Sequence, residues 1–177
     1  MASKAFEAGV RKVFAPRLAE LGFVRHGVRY FRPRPPWRVQ GITLVQDKWN
    51  GTGFSRFSIL VGRRTKLGWD PGKQVERAKA DAHFFDTHAG APSQPAIWLG
   101  LLTEARQDFQ YDYPADDPAG IEAALNEALA DIERYGLFWL RWGIRPFARR
   151  DPARAIAAKA RFDAFLKQPP PGMPDPD

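Results

Sequence analysis

Cysteine is absent from the chain. Its absence excludes a disulfide framework, a thiolate zinc site and a thiol nucleophile. Long apolar runs are missing as well. The longest, Ala96-Ile97-Trp98-Leu99-Gly100-Leu101-Leu102, is far too short to span a bilayer. The segment Met1 to Phe14 is broken by Lys4, Glu7, Arg11 and Lys12, so it has no apolar core of a signal peptide. A cytoplasmic protein with no membrane association is the expectation. No Gly-x-Ser-x-Gly, Walker or Gly-x-Gly-x-x-Gly pattern occurs, and Gly51-x-Gly53 reads as a hairpin turn. These gaps lean against an enzyme, without closing the question, and call for no cofactor.

What is present fits one domain. The 177 residues are 44% apolar and 27% charged, and a chain of this length buries on the order of 70% of its unfolded surface. The net charge is +7, but it is unevenly laid out. Residues 1–79 hold 17 basic and 5 acidic residues, and residues 80–177 hold 10 and 15. Such asymmetry marks either an anionic partner for the basic part or two parts of one fold that neutralise each other.

Hydrophobic spacing supplies the elements. Phe6, Val10, Val13/Phe14, Leu18 and Leu21 recur at steps of three and four, predicting a helix over 3–21 that Pro16 kinks and Gly22 ends. Phe23 to Arg32, Val39 to Trp49 and Phe54 to Arg64 read as strands. The first is expected to carry Val24, Val28 and Tyr30 on one face and Arg25 and Arg29 on the other. Asn50-Gly51-Thr52-Gly53 is a hairpin signal, and Pro33, Pro35 and Pro36 predict an extended loop. Residues 65–96 read as an irregular insertion with a short helix over 73–85. Strands over 97–102 and 108–113 follow. Asp117-Pro118 opens a second long helix, with Ile121, Leu125, Leu129 and Ile132 as its stripe and Gly136 at its end. Asp151-Pro152 opens a last helix to Lys167. The tail 168–177 has five prolines in ten residues and is expected to be extended or disordered. The order predicts an α+β two-layer sandwich over 1–167, an antiparallel sheet of about five strands with helices mainly on one face.

Some of these residues resemble a known family. Leu18-Ala-Glu-Leu-Gly-Phe23-Val-Arg-His-Gly-Val-Arg-Tyr30-Phe31-Arg32 is similar to the opening of the bacterial domain of unknown function 4304 family: a helix ending in Leu-Gly-Phe, then a basic strand ending in aromatic-aromatic-Arg. Ile42-Thr-Leu-Val-Gln46 and Phe57-Ser-Ile-Leu-Val-Gly62 resemble its second and third strands. The resemblance spans 5–65 and, more loosely, 97–145. It implies an α+β fold and no activity.

The candidate site residues follow from strand parity. Arg25, Arg29, Arg56 and Arg64 fall on the outer sheet face with Phe31, Val45 and Leu60. Arg32, Arg34 and Arg38 are expected in a loop beside Trp37. A cationic face with aromatics can bind single-stranded nucleic acid, yet Asp108 and Asp112 share that face and can neutralise it. His26 and Gln46 fall on the inner face, where they line a pocket or satisfy buried polar groups. His83, Asp86 and His88 are metal-capable, but on a helix the two imidazoles would lie about 140° apart. Asp117 is explained as a helix cap, and no metal is called for. The leading reading is a binding or accessory module with a protein partner. Nucleic acid is the alternative and a metal-dependent hydrolase the third reading, with a homodimer left open.

Overall fold

The structure is a computed structural model that describes residues 4–34, 38–47, 53–65, 76, 96–103, 110–143 and 152–167. The N-terminal apolar stripe is a nearly continuous helical segment. It comprises α1 (Lys4–Gly9), a π turn (Val10–Phe14) and α2 (Ala15–Glu20). Pro16 explains the wide turn. It has no N–H for the carbonyl four residues back, and a π turn just before it absorbs the slip instead of a sharp kink. Phe6, Val10, Phe14, Leu18 and Leu21 therefore stay on one buried face. The helix stops as expected at Gly22, which adopts φ 81°. Gly22 N–H donates to Ala19 O at 2.9 Å and Phe23 N–H to Leu18 O at 2.9 Å, the paired bonds of a Schellman cap.

The predicted first strand is a hairpin. β1 (Val24–His26) and β2 (Arg29–Arg34) pair antiparallel around the turn Gly27-Val28. The turn reverses the expected faces, because cross-strand partners share a face and Arg25 is paired with Tyr30. Arg25 thus looks toward the helices, and Val24 and His26 look away from them. β2 also runs further than the prolines suggested, with Pro33 opposite Val39. β1 ends at Val24, opposite Phe31, so Pro33 lies on a free edge where no ladder donor is needed.

β3 (Arg38–Gln46) and β4 (Phe54–Thr65) complete the meander. The strand order is β1-β2-β3-β4-β5, all antiparallel. β4 has twelve residues, long enough to seat two short strands on its far side. β5 (Ala96–Trp98) pairs with residues 60–62 and β6 (Tyr111–Pro114) with residues 54–57. The expected strand over 97–102 is shorter because Leu99–Leu102 wind into a 3-10 turn, which buries Leu99 and Leu102 together.

The second long helix begins where predicted. Asp117 Oδ1 accepts from Ala119 N–H at 3.0 Å and Pro118 takes the first position. α3 (Pro118–Asp131) does not stop at Gly136. It passes through a π turn (Ile132–Gly136) into α4 (Leu137–Trp142). Gly136 is present for close approach rather than for a left-handed turn: a Cβ there would sit 3.3 Å from Leu99 Cδ1. The left-handed stop is Gly143, φ 66°. Gly9 plays a similar part where α1 crosses α3, since a Cβ would meet Ile121 Cγ2 at 2.9 Å.

The main core lies between the helices and one sheet face. Phe6, Phe57, Tyr111 and Tyr113 form an aromatic group within it. α5 (Pro152–Leu166) packs Phe162 and Phe165 against Phe138, with Tyr135 stacked on Phe162. The opposite sheet face is not the open surface expected. Phe31, Val39 and Leu60 are buried there. The fold is the predicted α+β class, an antiparallel sheet with helices on one face. Residues 66–75 and 77–95 of the insertion, with Trp69, His83, Asp86 and His88 among them, and Trp37, Trp49, Asp108 and the proline-rich tail lie outside the described residues.

Candidate functional site

The unusual polar feature is a row of side chains on the helix side of the sheet. Arg32, Gln40 and Arg63 are cross-strand neighbours on β2, β3 and β4. Continuing the alternation from Tyr30, Ile42 and Val61 puts all three on the core face. Arg32 is 6% and Gln40 1% exposed. Arg32 was expected free in a loop; instead it lies inside β2 and its guanidinium is engaged. Its Nε and Nη2 donate to Gln40 Oε1 at 2.9 and 2.6 Å, and its Nη1 donates to Leu21 O at 2.6 Å. The ring of Phe23 covers it, 4.4 Å from the guanidinium carbon to the centroid. Gln40 Nε2 donates to Leu140 O at 2.9 Å and Arg63 Nη1 to Arg141 O at 3.2 Å.

These contacts have a common physical cause. The last carbonyls of a helix have no intrahelical donor and sit at the negative end of its dipole. Leu21 is the C-cap of α2 and Trp142 the last residue of α4, and both ends point at this row. Arginine and glutamine donors satisfy them where an apolar residue would leave buried carbonyls bare. Arg34 and Arg38, also expected in a loop, are paired one rung further out at the ends of β2 and β3.

The remaining candidates do not converge. Arg25 bonds Glu7 at 2.6 Å and the Gly27 carbonyl at 2.9 Å. Burial pushes the Glu7 carboxyl up, but hydrogen bonds from Arg25 and Arg11 outweigh it and hold the carboxyl below its ordinary value. His26 is exposed on the far face opposite Arg29, not on the inner face. Gln46 is on the inner face as predicted, and its Nε2 donates to Tyr113 Oη at 3.2 Å. Burial raises the Tyr113 hydroxyl above its ordinary value, against that bond and one with Ser55. His26 and Gln46 therefore lie on opposite faces and share no pocket. Arg56 is on the outer face, 3.4 Å from Asp112 and 2.9 Å from Gln110, so the neutralisation expected of Asp112 is present. Arg64 is placed in β4 opposite Val39.

Ion pairs also join the two charge halves. Lys12 reaches Glu122 at 2.6 Å, and Arg17 forks onto Glu133 at 2.6 and 3.0 Å. The Glu133 and Glu20 hydrogen bonds raise the Arg17 guanidinium further above its ordinary value. Pairs this exposed give at most about 1 kcal/mol each. Among the described residues no group of three or more His, Asp or Glu is placed to hold a metal ion, and no helix is long and apolar enough to cross a membrane. Sequence reasoning missed Gln40 and Arg63. Their signal was positional, two polar residues in register with Ile42 and Val61 on otherwise apolar strand faces.

No known family model, curated protein or solved structure matches the chain.

Proposed function

We propose that the protein is a binding module that holds a protein partner against one corner of its sheet. One observation carries the reading. Val24, Val28, Val45 and Phe54 are 36 to 55% exposed, and they line the β1–β2 hairpin and the adjoining ends of β3 and β4. His26, Arg29 and Arg56 stand among them on the outer face. A single exposed apolar residue needs no explanation. Several near arginine match the composition of partner-binding surfaces. The partner is thus a polypeptide offering apolar side chains. A cysteine-free chain suits a reducing cytoplasm. We keep membership of the domain of unknown function 4304 family within this proposal, on Leu21-Gly22-Phe23 and Tyr30-Phe31-Arg32.

A photocrosslinking residue at position 54, and separately at 28, tests it in the native host cell. The expected result is one common polypeptide captured from both positions, lost on Val45→Asp, and absent from the exposed α3 position Ala119. The same products from 54 and 119, or none, would overturn the reading.

A further inference from the structure

β1 is the first strand in the sheet order and has one free side. Gly27-Val28 is a two-residue turn, so His26 and Arg29 exchange the first pair of ladder bonds and the pattern alternates from there. The bond from Leu44 N–H to Val28 O, 3.0 Å, requires the same phase on the other side of β2. Val24 and His26 therefore turn their backbone groups toward β2, and the Arg25 N–H and C=O point away from the sheet. Among the described residues nothing pairs with those two groups. The flanking residues are half engaged. Phe23 N–H donates to Leu18 O at 2.9 Å, and Gly27 O accepts from Arg25 Nε at 2.9 Å. The Phe23 C=O and Gly27 N–H have no partner among the described residues. Beside this edge, on the outer face, Val24 is 55% exposed and His26 is exposed.

We infer that β1 is a dimerisation edge, pairing antiparallel with β1 of a second copy about a two-fold axis at Arg25. An open edge is a template for any extended chain, but this one is complementary to itself. Centring the pair on Arg25 sets Arg25 opposite Arg25, so the two residues exchange both backbone bonds. The same register sets Phe23 opposite Gly27 of the second copy. There the available Gly27 N–H meets the available Phe23 C=O, and the engaged donor meets the engaged acceptor. On the outer face Val24 comes opposite His26 of the second copy, which covers the exposed valine. On the helix side two facing arginines would repel, but each carries its own Glu7 at 2.6 Å, so two ion pairs meet instead of two bare cations. A two-fold contact of this kind closes on one copy and does not grow into a ribbon. An edge of three residues buries less than about 1,200 Å², so the dimer is weak and depends on concentration. It leaves Val45 and Phe54, on β3 and β4, to the partner proposed above and does not rest on that reading.

The test is sedimentation equilibrium of the full chain from about 1 to about 500 μM. Wild type is expected to move from the mass of one chain toward that of two. Arg25→Pro removes the outward N–H and no bond of the intramolecular ladder, and is expected to weaken association about 10-fold or more. Arg25→Ala loses the same side chain but keeps that N–H, and is expected to associate at least about 5-fold more tightly than Arg25→Pro. The register is read separately. The chain has no cysteine, so Val24→Cys and His26→Cys chains oxidised together are expected to give a mixed disulfide dimer, and either chain alone far less. Where Arg25→Pro disturbs folding by circular dichroism, the cysteine pair decides. Four results would overturn the inference: wild type stays monomeric across the range, Arg25→Pro associates like wild type, Arg25→Ala is as weak as Arg25→Pro, or the mixed cysteine chains crosslink no better than either alone. Capture of a different polypeptide from position 54, or its failure, bears on the apolar corner and leaves this edge untouched.

Discussion

Replacing Gln40 with leucine would remove the acceptor of two guanidinium bonds, from Arg32 Nε and Nη2, and the donor that reaches Leu140 O. Leucine fills a similar volume, so the cost is polar rather than steric. Arg32 is nearly inaccessible to water, and its guanidinium would lose the acceptor that its Nε and Nη2 share. Losing a hydrogen-bond acceptor costs a buried guanidinium about 1.5–3 kcal/mol, and the bare Leu140 carbonyl adds about 1 kcal/mol. That is a large share of the roughly 5–15 kcal/mol by which domains are stable. The double variant Arg32→Met/Gln40→Leu removes charge and acceptor together. It is expected to recover most of the loss, ending about 1–2 kcal/mol below wild type, since only the helix-end carbonyls remain unserved. Urea unfolding followed by tryptophan fluorescence and far-ultraviolet dichroism measures both. A Gln40→Leu cost under about 1 kcal/mol, or a double variant less stable than the single, would refute the account of a buried charge held by the amide.

Other expectations test the packing and a buried hydroxyl. Gly9→Ala should destabilise by about 1–3 kcal/mol, because its methyl would meet Ile121 and Leu125 at the α1–α3 crossing; an unchanged urea midpoint would show that the helices shift freely. The Tyr30 hydroxyl is buried without a hydrogen-bond partner among the described residues, so Tyr30→Phe should be neutral or stabilising by up to about 1 kcal/mol near pH 7. Burial pushes the Tyr30 hydroxyl up to about 12 from its ordinary value of 10.0. The fold therefore favours the neutral form, and the associated stability is intact below about pH 10 and lost as pH rises toward about 12. Unfolding measured across that window should show wild type losing more stability than Tyr30→Phe, and parallel curves would contradict the assignment.

The periodic parts of the fold were legible because burial on one side imposes a period. The stripe from Phe6 to Leu21 and that from Ile121 to Ile132 were read at the right spacing, and Asp117-Pro118 marked a helix start. What escaped reading came from tertiary demands. Gly136 has the composition of a helix stop, yet it is needed for contact with Leu99. Gly27-Val28 made a turn inside a run that looked like one strand, and so reversed the faces of Arg25 and His26. Arg32 resembled a free loop cation because nothing local announces that two helix ends converge on it. The residues of the Leu-Gly-Phe segment and Arg32 serve one local structure: Leu21 to Phe23 form the helix stop, and Arg32 caps the Leu21 carbonyl.

The placement of the ion pairs has a consequence for synthesis. Helices α1 and α2 and strands β1 to β4 leave the ribosome first, with contacts that are mostly local and quick to form. At that stage residues 1–79 carry a net charge of +12, from 17 basic and 5 acidic residues. Glu122, Glu133 and Asp112, which answer Lys12, Arg17 and Arg56, arrive only with the second half. The nascent chain therefore stays self-repelling until α3 docks, which keeps its unfinished sheet edge from pairing with copies of itself. Docking is the step at which that repulsion is relieved, so refolding should have a late phase whose rate depends on ionic strength.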